Sequence, residues 1–398
     1  MKTMQLRRLA LGIGLGLVLV LAGCGGGGGG VDVGAGGGTG TLRLALTDAP
    51  ACGFDKVNVT IDRVRVHQSG SAAESDAGWS EIVLNPARRV DLLALTNGVL
   101  SELGQTALPA GKYTQLRLVL AENGGATPLA NSVLPTGSST EVALTTPSAQ
   151  QSGLKLKTNI DVAANQMADV VIDFDACKSV VSAGNSGKYQ LKPVLKVIPR
   201  FVSGVSGFVD ASIASGASVS LQQAGVSVRT TTPDASGKFL LQPVAPGSYT
   251  LVLTATARTT LVVTGVTVTA DTVSALNLAT GALNPPLVAA GTLAGTVTMT
   301  PTPIDATVRL LQPLTGGLTI EVAARPVDSA SGAYSYRLPV TAPLVAAFPT
   351  GLGTLAFTPD NGAAGKYNLE ASSGTSVKTT GPVTLTANGS VITNFTLP

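Results

Sequence analysis

Pro246-Gly247-Ser248-Tyr249-Thr250-Leu251 and Ala364-Gly365-Lys366-Tyr367-Asn368-Leu369 are two copies of one phrase. In each, a glycine supplies the turn and an aromatic opens a strand with an inward-facing position. The likeness extends upstream. Asp234-Ala235-Ser236-Gly237-Lys238-Phe239 matches the stretch Asp328 to Tyr334, and Ser206-Gly207-Phe208-Val209 matches Ala294-Gly295-Thr296-Val297. Downstream, Val266-Thr267-Val268-Thr269-Ala270-Asp271 matches Val383-Thr384-Leu385-Thr386-Ala387-Asn388. The offset is 88 at Gly207/Gly295 and 118 at Tyr249/Tyr367, so the second copy is about 30 residues longer. Most of the extra length falls between Tyr336 and Gly365, where Pro and Gly are dense. Short alternating strands between turn signals, repeated along the chain, predict an all-β protein of tandem β-sandwich domains. Asn284-Pro285-Pro286 marks the linker, giving repeats at 202–284 and 285–398.

The pattern D-x-x-G-x-F followed by L-x-x-G-x-Y-x-L resembles the carboxypeptidase-regulatory-like and transthyretin-like sandwiches. The first copy fits through Asp234, Gly237, Phe239, Gly247 and Tyr249; the second departs at its insertion. The resemblance implies accessory modules and carries no catalytic residue.

Residues 41–201 read as a further β domain. Leu42, Leu44 and Leu46 alternate along a half-buried strand that ends at Thr47-Asp48-Ala49-Pro50. The next strand runs from Val57 to His67. Its apolar set is odd at 57, 59 and 61, then even at 64 and 66, which requires a β-bulge near Asp62-Arg63. A third strand follows at Trp79–Leu84, and Val90–Gly98 breaks the alternation as a short helical turn stopped by Gly98. Leu108-Pro109-Ala110-Gly111-Lys112-Tyr113 predicts a tyrosine corner leading into Leu116–Leu120. Further strands are expected at 141–145, 153–157 with Ile160, 169–174 and 189–198. The ordered set LRLALTDAP, VNVTIDRVRVH, VDLLALTNG, LPAGKYTQLRLVL, VVIDFDACKSVV and GKYQLKPVLKVIPR resembles the bacterial lipoprotein domain catalogued as domain of unknown function 4382. That resemblance implies a sandwich-like envelope module and no activity.

The N-terminus reads as a secretion signal over residues 1–23. Lys2, Arg7 and Arg8 precede an apolar run from Leu9 to Leu21, too short to cross about 30 Å of hydrocarbon comfortably. Leu21-Ala22-Gly23-Cys24 resembles the lipobox of bacterial lipoproteins, which implies acylation of Cys24 and cleavage before it. Gly25, where an aspartate would favour the inner membrane, implies an outer-membrane address. Residues 24–40 are mostly glycine and form a flexible tether.

Lys2, Arg7 and Arg8 also account for the whole net charge of +3, so the chain from Cys24 onward is balanced. No basic patch or zinc-finger pattern suggests nucleic acid. Cys52 and Cys177 remain after Cys24; in an exported protein the pair reads as a disulfide, with two free thiols as the alternative.

His67 is the only histidine, which weakens Ser-His-Asp and Cys-His chemistry; a strand-end role is the plainer reading. Asp173 and Asp175 are two apart and would share a strand face. With Asp48 or Asp55 brought near by the cysteine pair, they could hold Ca²⁺, which takes six to eight oxygens. The alternative is a solvated strand end with Asp175 capping a turn. Trp79 reads as a core or strand-entry residue rather than a sugar platform. The expectation is a membrane-anchored, non-catalytic structural or adhesive protein with its sandwiches stacked as a stalk. A carbohydrate- or calcium-binding accessory module at the cell surface is the alternative, and possible partners are a protein or a glycan.

Overall fold

In the computed structural model, residues 38–48, 53–146, 152–300, 302–349, 351 and 353–398 are described. The expected signal, Cys24, Cys52 and the expected tether up to residue 37 lie outside them; Thr39 and Gly40, expected in the tether, instead open the first strand. The unit from Gly37 to Pro398 is compact and almost entirely β.

One strand plan occurs three times. In the first module Thr39–Asp48 pairs antiparallel with Ser101–Pro109 and parallel with Met167–Phe174. Facing this sheet, Phe54–His67 pairs with Ser80–Asp91 and Gly111–Leu120, and the latter pairs with Leu154–Val162. In the second module Gly204–Phe208 takes Lys238–Leu241 antiparallel and Val273–Ala275 parallel. Ala217–Gln223 then pairs with Val226–Thr231 and Gly247–Ala255, which pairs with Leu261–Val268. In the third module Ala290–Thr298 takes Ala333–Pro339 antiparallel and Ser390–Ile392 parallel. Thr307–Pro313 pairs with Thr319–Pro326 and Lys366–Ser373, which pairs with Ser376–Thr384. The first module elaborates the plan with Ser132–Pro135, Val142–Thr145, Val180–Ser182 and Tyr189–Leu191 on its larger sheet, and Leu195–Pro199 on its smaller one.

The repeated tyrosine explains why the plan recurs. Gly111-Lys112-Tyr113, Gly247-Ser248-Tyr249 and Gly365-Lys366-Tyr367 each open the same strand, and each breaks register just after the tyrosine. Tyr113 donates its hydroxyl to Pro109 O at 3.0 Å and Tyr249 to Ala245 O at 2.9 Å, the four-residue tyrosine corner. Tyr367 instead donates to Pro339 O at 2.6 Å, because its loop has grown.

Within the repeats the glycines of the first strand are fixed by aromatics. Gly207 faces Phe239 and Gly295 faces Tyr334, and a Cβ on Gly207 would come within 2.5 Å of the Phe239 ring. Gly237 and Gly332, both at positive φ, lie against the carbonyls of Val209 and Val297. Asp234 and Asp328 close the turns before them, each accepting from a serine hydroxyl and backbone N–H groups.

The expected bulge in the second strand lies between Ile61 and Arg63. Leu92–Leu95 forms the short helical turn, capped by Asp91, with Asn97 and Gly98 both at positive φ after it. The expected strand over 189–198 is two strands. Pro193 has no N–H to donate, and Lys192 and Val194 bond to Ser179 instead, so the chain changes sheets there.

Each sandwich has its own apolar core. The modules do not form the expected end-to-end stalk, because the first contacts both others and those two contact each other. The insertion of the third module is an arm. Its strand Leu344–Ala347 pairs in parallel with Leu261–Thr264 of the second module, and Thr358–Pro359 folds back on it. Leu344, Phe348, Leu355 and Phe357 of the arm pack on the second module's core. A fourth cluster, with Val252 and Val262 against Leu314, Ile320 and Ala363, joins the two repeats.

Candidate functional site

The three modules converge where the calcium site was sought. The strand bearing Asp173 ends at Phe174, so Asp173 and Asp175 do not share a strand face as expected. Asp175 has left the sheet to cap the one-turn helix Ala176–Ser179, accepting from Lys178 N at 3.1 Å. Asp48 is fully buried and accepts from Ala176 N at 2.9 Å. Asp173 pairs with the guanidinium of Arg229, a residue of the second module. Arg229 is 2% exposed and also donates to Thr47 Oγ1 at 2.8 Å. Asp173 and Asp175 thus already meet cations of this chain. Among the described residues no group of three or more His, Cys, Asp or Glu side chains could hold a metal ion. Asp55 lies elsewhere, accepting from Thr136 Oγ1 at 2.9 Å.

Glu321, on the strand Thr319–Pro326, lies at the centre of the junction. Its carboxylate takes Arg309 Nε at 2.7 Å from its own module and Ser227 Oγ at 3.0 Å from the second. Lys178 Nζ of the first module lies 3.7 Å away. Its backbone N–H and C=O both bond the side-chain amide of Gln222, at 2.8 and 2.7 Å. Arg309 reaches on to Glu370 at 2.6 Å and to Gly225 O at 2.7 Å. Burial works against the charge of Lys178, but Asp175 and Glu321 outweigh it and hold the ammonium above its ordinary pKa. Arg309 behaves alike: desolvation opposes its charge, and Glu321 and Glu370 more than restore it. A charge this enclosed persists only with such partners.

A second tie joins the first and second modules at Asn97. Its Oδ1 accepts from Leu240 N at 3.0 Å, and its N–H donates to Thr231 Oγ1 at 2.8 Å. Between the first and third modules, Asp328 accepts from Gly184 N at 2.7 Å, and Lys192 Nζ meets Ile304 O and Asp305, each at 3.1 Å.

Cys177 lies in the one-turn helix; Cys52, its expected disulfide partner, lies outside the described residues. His67 is a strand-end residue. Its Nδ1 accepts from Ser69 N at 2.8 Å, and its Nε2 lies 2.9 Å from Ala77 O. Trp79 is half-buried, its Nε1 donating to Ala73 O and its ring 4.7–4.8 Å from the guanidiniums of Arg65 and Arg117. It pins the 68–79 loop onto the sheet by cation–π contact.

Arg229, Arg309 and Glu321 were not singled out from the sequence. The signal was there: in a chain with 12% charged residues, each is a charge flanked on both sides by uncharged strand residues, as in Val228-Arg229-Thr230 and Ile320-Glu321-Val322. Asn277 was missed too. It binds Phe208 N and O as a backbone segment would, and Asn394 does the same to Thr296 N in the third module.

The fold and junction define an architecture of tandem all-β sandwiches tied together by interface charges. Residues 39–193 match the family model described as a domain of unknown function (DUF4382), and residues 204–280 match the carboxypeptidase regulatory-like domain. Both fall in the order the sequence motifs led us to expect. No curated protein matches the chain. Among solved structures, the Bacillus anthracis TIE protein is 13% identical, with 90% of this chain and 50% of that one covered at a TM-score of 0.17. This chain thus spans about half of that protein's length. The streptococcal ancillary pilin is 10% identical (89% and 99% covered, TM-score 0.17), and the Bacillus cereus major pilin BcpA is 11% identical (90% and 99% covered, TM-score 0.14).

Proposed function

We propose that this chain is a lipid-anchored protein of the cell envelope, held at the outer membrane through acylated Cys24, whose folded part is a non-catalytic structural or adhesive scaffold. The observation that supports it best is the convergence of three sandwiches on Glu321. A module pair joined by a loose linker swings; a carboxylate shared by Lys178, Ser227 and Arg309 makes the three act as one body. Such a body at the end of a glycine tether can bear load or present a surface without internal give. The proposal extends to a Cys52–Cys177 bridge, which would close a loop of about 125 residues beside the same junction. In the chain-entropy model such a loop contributes on the order of 4–5 kcal/mol, less strain.

Two measurements on the full chain test this. Cys24→Ser should move the protein from the membrane fraction to the soluble fraction; retention in the membrane sinks the anchor. Scanning calorimetry should give one transition for the parent chain and separated transitions for Glu321→Ala. Separate transitions in the parent chain would sink the single rigid body.

A further inference from the structure

The first and third modules together line a cleft of about 470 Å³. Lys155, Lys178, Lys192 and Gln190 line it from the first module, Asp305 and Thr307 from the third. We propose that this cleft binds an acidic oligosaccharide, one whose sugar rings carry carboxylates.

Two lysines with reachable ammonium groups, Lys155 and Lys192, line a concavity whose lining holds one carboxylate, Asp305. Lys178 also lines it, but its ammonium is engaged by Asp175 and Glu321 and is not counted among the ligand's partners. Lys155 stands exposed on the strand Leu154–Val162 and makes no ion pair among the described residues. Lys192 pairs with Asp305, but Asp305 is 74% exposed, and an ion pair with so wet a partner is weak and readily shared. A ligand carboxylate can therefore meet Lys155 directly and replace the exposed Asp305 at Lys192, whose ammonium keeps its bond to Ile304 O. Gln190 and Thr307 add amide and hydroxyl groups of the kind that recognise sugar hydroxyls. The lining holds no aromatic ring, so stacking is not the mode of binding. Lysines on flexible stems suit carboxylates at variable spacing, where arginine would impose a planar fork. The volume falls within the range of small-ligand clefts, and such clefts favour domain interfaces.

This inference goes beyond the scaffold reading. It rests on the docked first and third modules and not on the lipid anchor, so calorimetry and ligand titration fail independently. The test is calorimetric titration of the full chain with trigalacturonate, with maltotriose and with inorganic sulfate, at low and high salt. Trigalacturonate should bind, maltotriose should not, and binding should weaken with salt as exposed charges are screened. Lys155→Ala and Lys192→Ala should each weaken it by roughly three- to fivefold, the worth of an exposed ion pair, whereas Lys366→Ala, at the opposite end of its strand from Ser372, the register partner of Thr307, leaves it unchanged. Lys155 supports no contact between modules, so its variant reads binding even if Lys192→Ala loosens the junction. Maltotriose binding as tightly as trigalacturonate overturns the charge reading. Sulfate binding as tightly overturns the saccharide, and an unchanged Lys155→Ala variant overturns the site.

Discussion

The two repeats carry the same edge strand under opposite conditions. Cross-strand register makes Leu261, Val262 and Val263 of the second module equivalent to Lys378, Thr379 and Thr380 of the third, each counted from the tyrosine they share a ladder with. The first set is 0–3% exposed, because the arm adds the strand Leu344–Ala347 to it. The second set is exposed along its length, followed by Pro382, and ends its sheet. One topology has thus been given two chemistries. Where another strand covers the edge, apolar β-branched residues fill both faces. Where nothing among the described residues covers it, lysine, threonine and proline blunt it against pairing with a foreign strand.

Removing the arm breaks this comparison most severely. Replacing 341–362 with a five-residue turn like that of the second module uncovers Leu261–Val263 and strips Phe348, Leu355 and Phe357 from the core. A loss on the order of 5 kcal/mol is expected from that apolar area, together with concentration-dependent association in light scattering. A stable monomer would show that the edge does not need its cover. The reciprocal change sharpens the point: Lys378→Leu, Thr379→Val and Thr380→Val together should barely alter the unfolding midpoint in urea yet promote association.

Arg229 gives the next largest effect. Its register partner in the third module is Ala323, so the same strand position is a buried cation in one repeat and a methyl group in the other. Arg229→Ala leaves the mostly enclosed Asp173 without its cation and should cost about 2–4 kcal/mol in urea unfolding, somewhat less than breaking a fully buried ion pair. A cost below about 1 kcal/mol would mean that Asp173 is served by water.

These contrasts explain what the sequence could and could not disclose. Alternation, turn glycines and the tyrosine phrases are local, so the strands, the bulge at Ile61/Arg63 and both repeats were legible. The third copy of the plan, in the first module, was nearly so. Pro109-Ala110-Gly111-Lys112-Tyr113 is the same phrase as Ala245-Pro246-Gly247-Ser248-Tyr249, but four additional strands on the larger sheet hide the spacing around it. The junction was illegible for another reason. Asp173 and Asp175 stood out as acids two apart, whereas their cations come from Arg229, over fifty residues on, and from a helical turn that ended the strand one residue before Asp175. Pairing across modules leaves only a trace in local sequence, a charge flanked by uncharged strand residues.

Smaller effects follow at the tyrosines. Tyr249→Phe removes a bond to its own corner, while Tyr367→Phe removes one to the start of the arm at Pro339. Each should cost about 1 kcal/mol, with the Tyr367 variant the more sensitive to limited proteolysis within 341–358. Burial raises the pKa of both phenols, so neither hydroxyl ionises in the neutral range to confuse the measurement.

The finest distinction between the repeats is their response to acid. Hydrogen bonds from Ser236, its hydroxyl above all, hold Asp234 below the ordinary carboxylate range. Burial pushes Asp328 up, but the N–H and hydroxyl of Ser331 and the N–H groups of Gly184 and Ala330 outweigh it, and its pKa also ends low. A carboxyl depressed on folding adds stability above its unfolded pKa of about 3.9 and loses it as pH falls through the folded value. Asparagine keeps the turn-closing oxygen and removes the charge. Asp234→Asn and Asp328→Asn should therefore both flatten the acid limb of thermal stability below about pH 4. Asp328→Asn should do so more, because Asp328 also holds Gly184 of the first module and its loss reaches across the junction. Equal slopes for the two variants would confine Asp328 to its own turn and remove it from the contacts that bind the modules together.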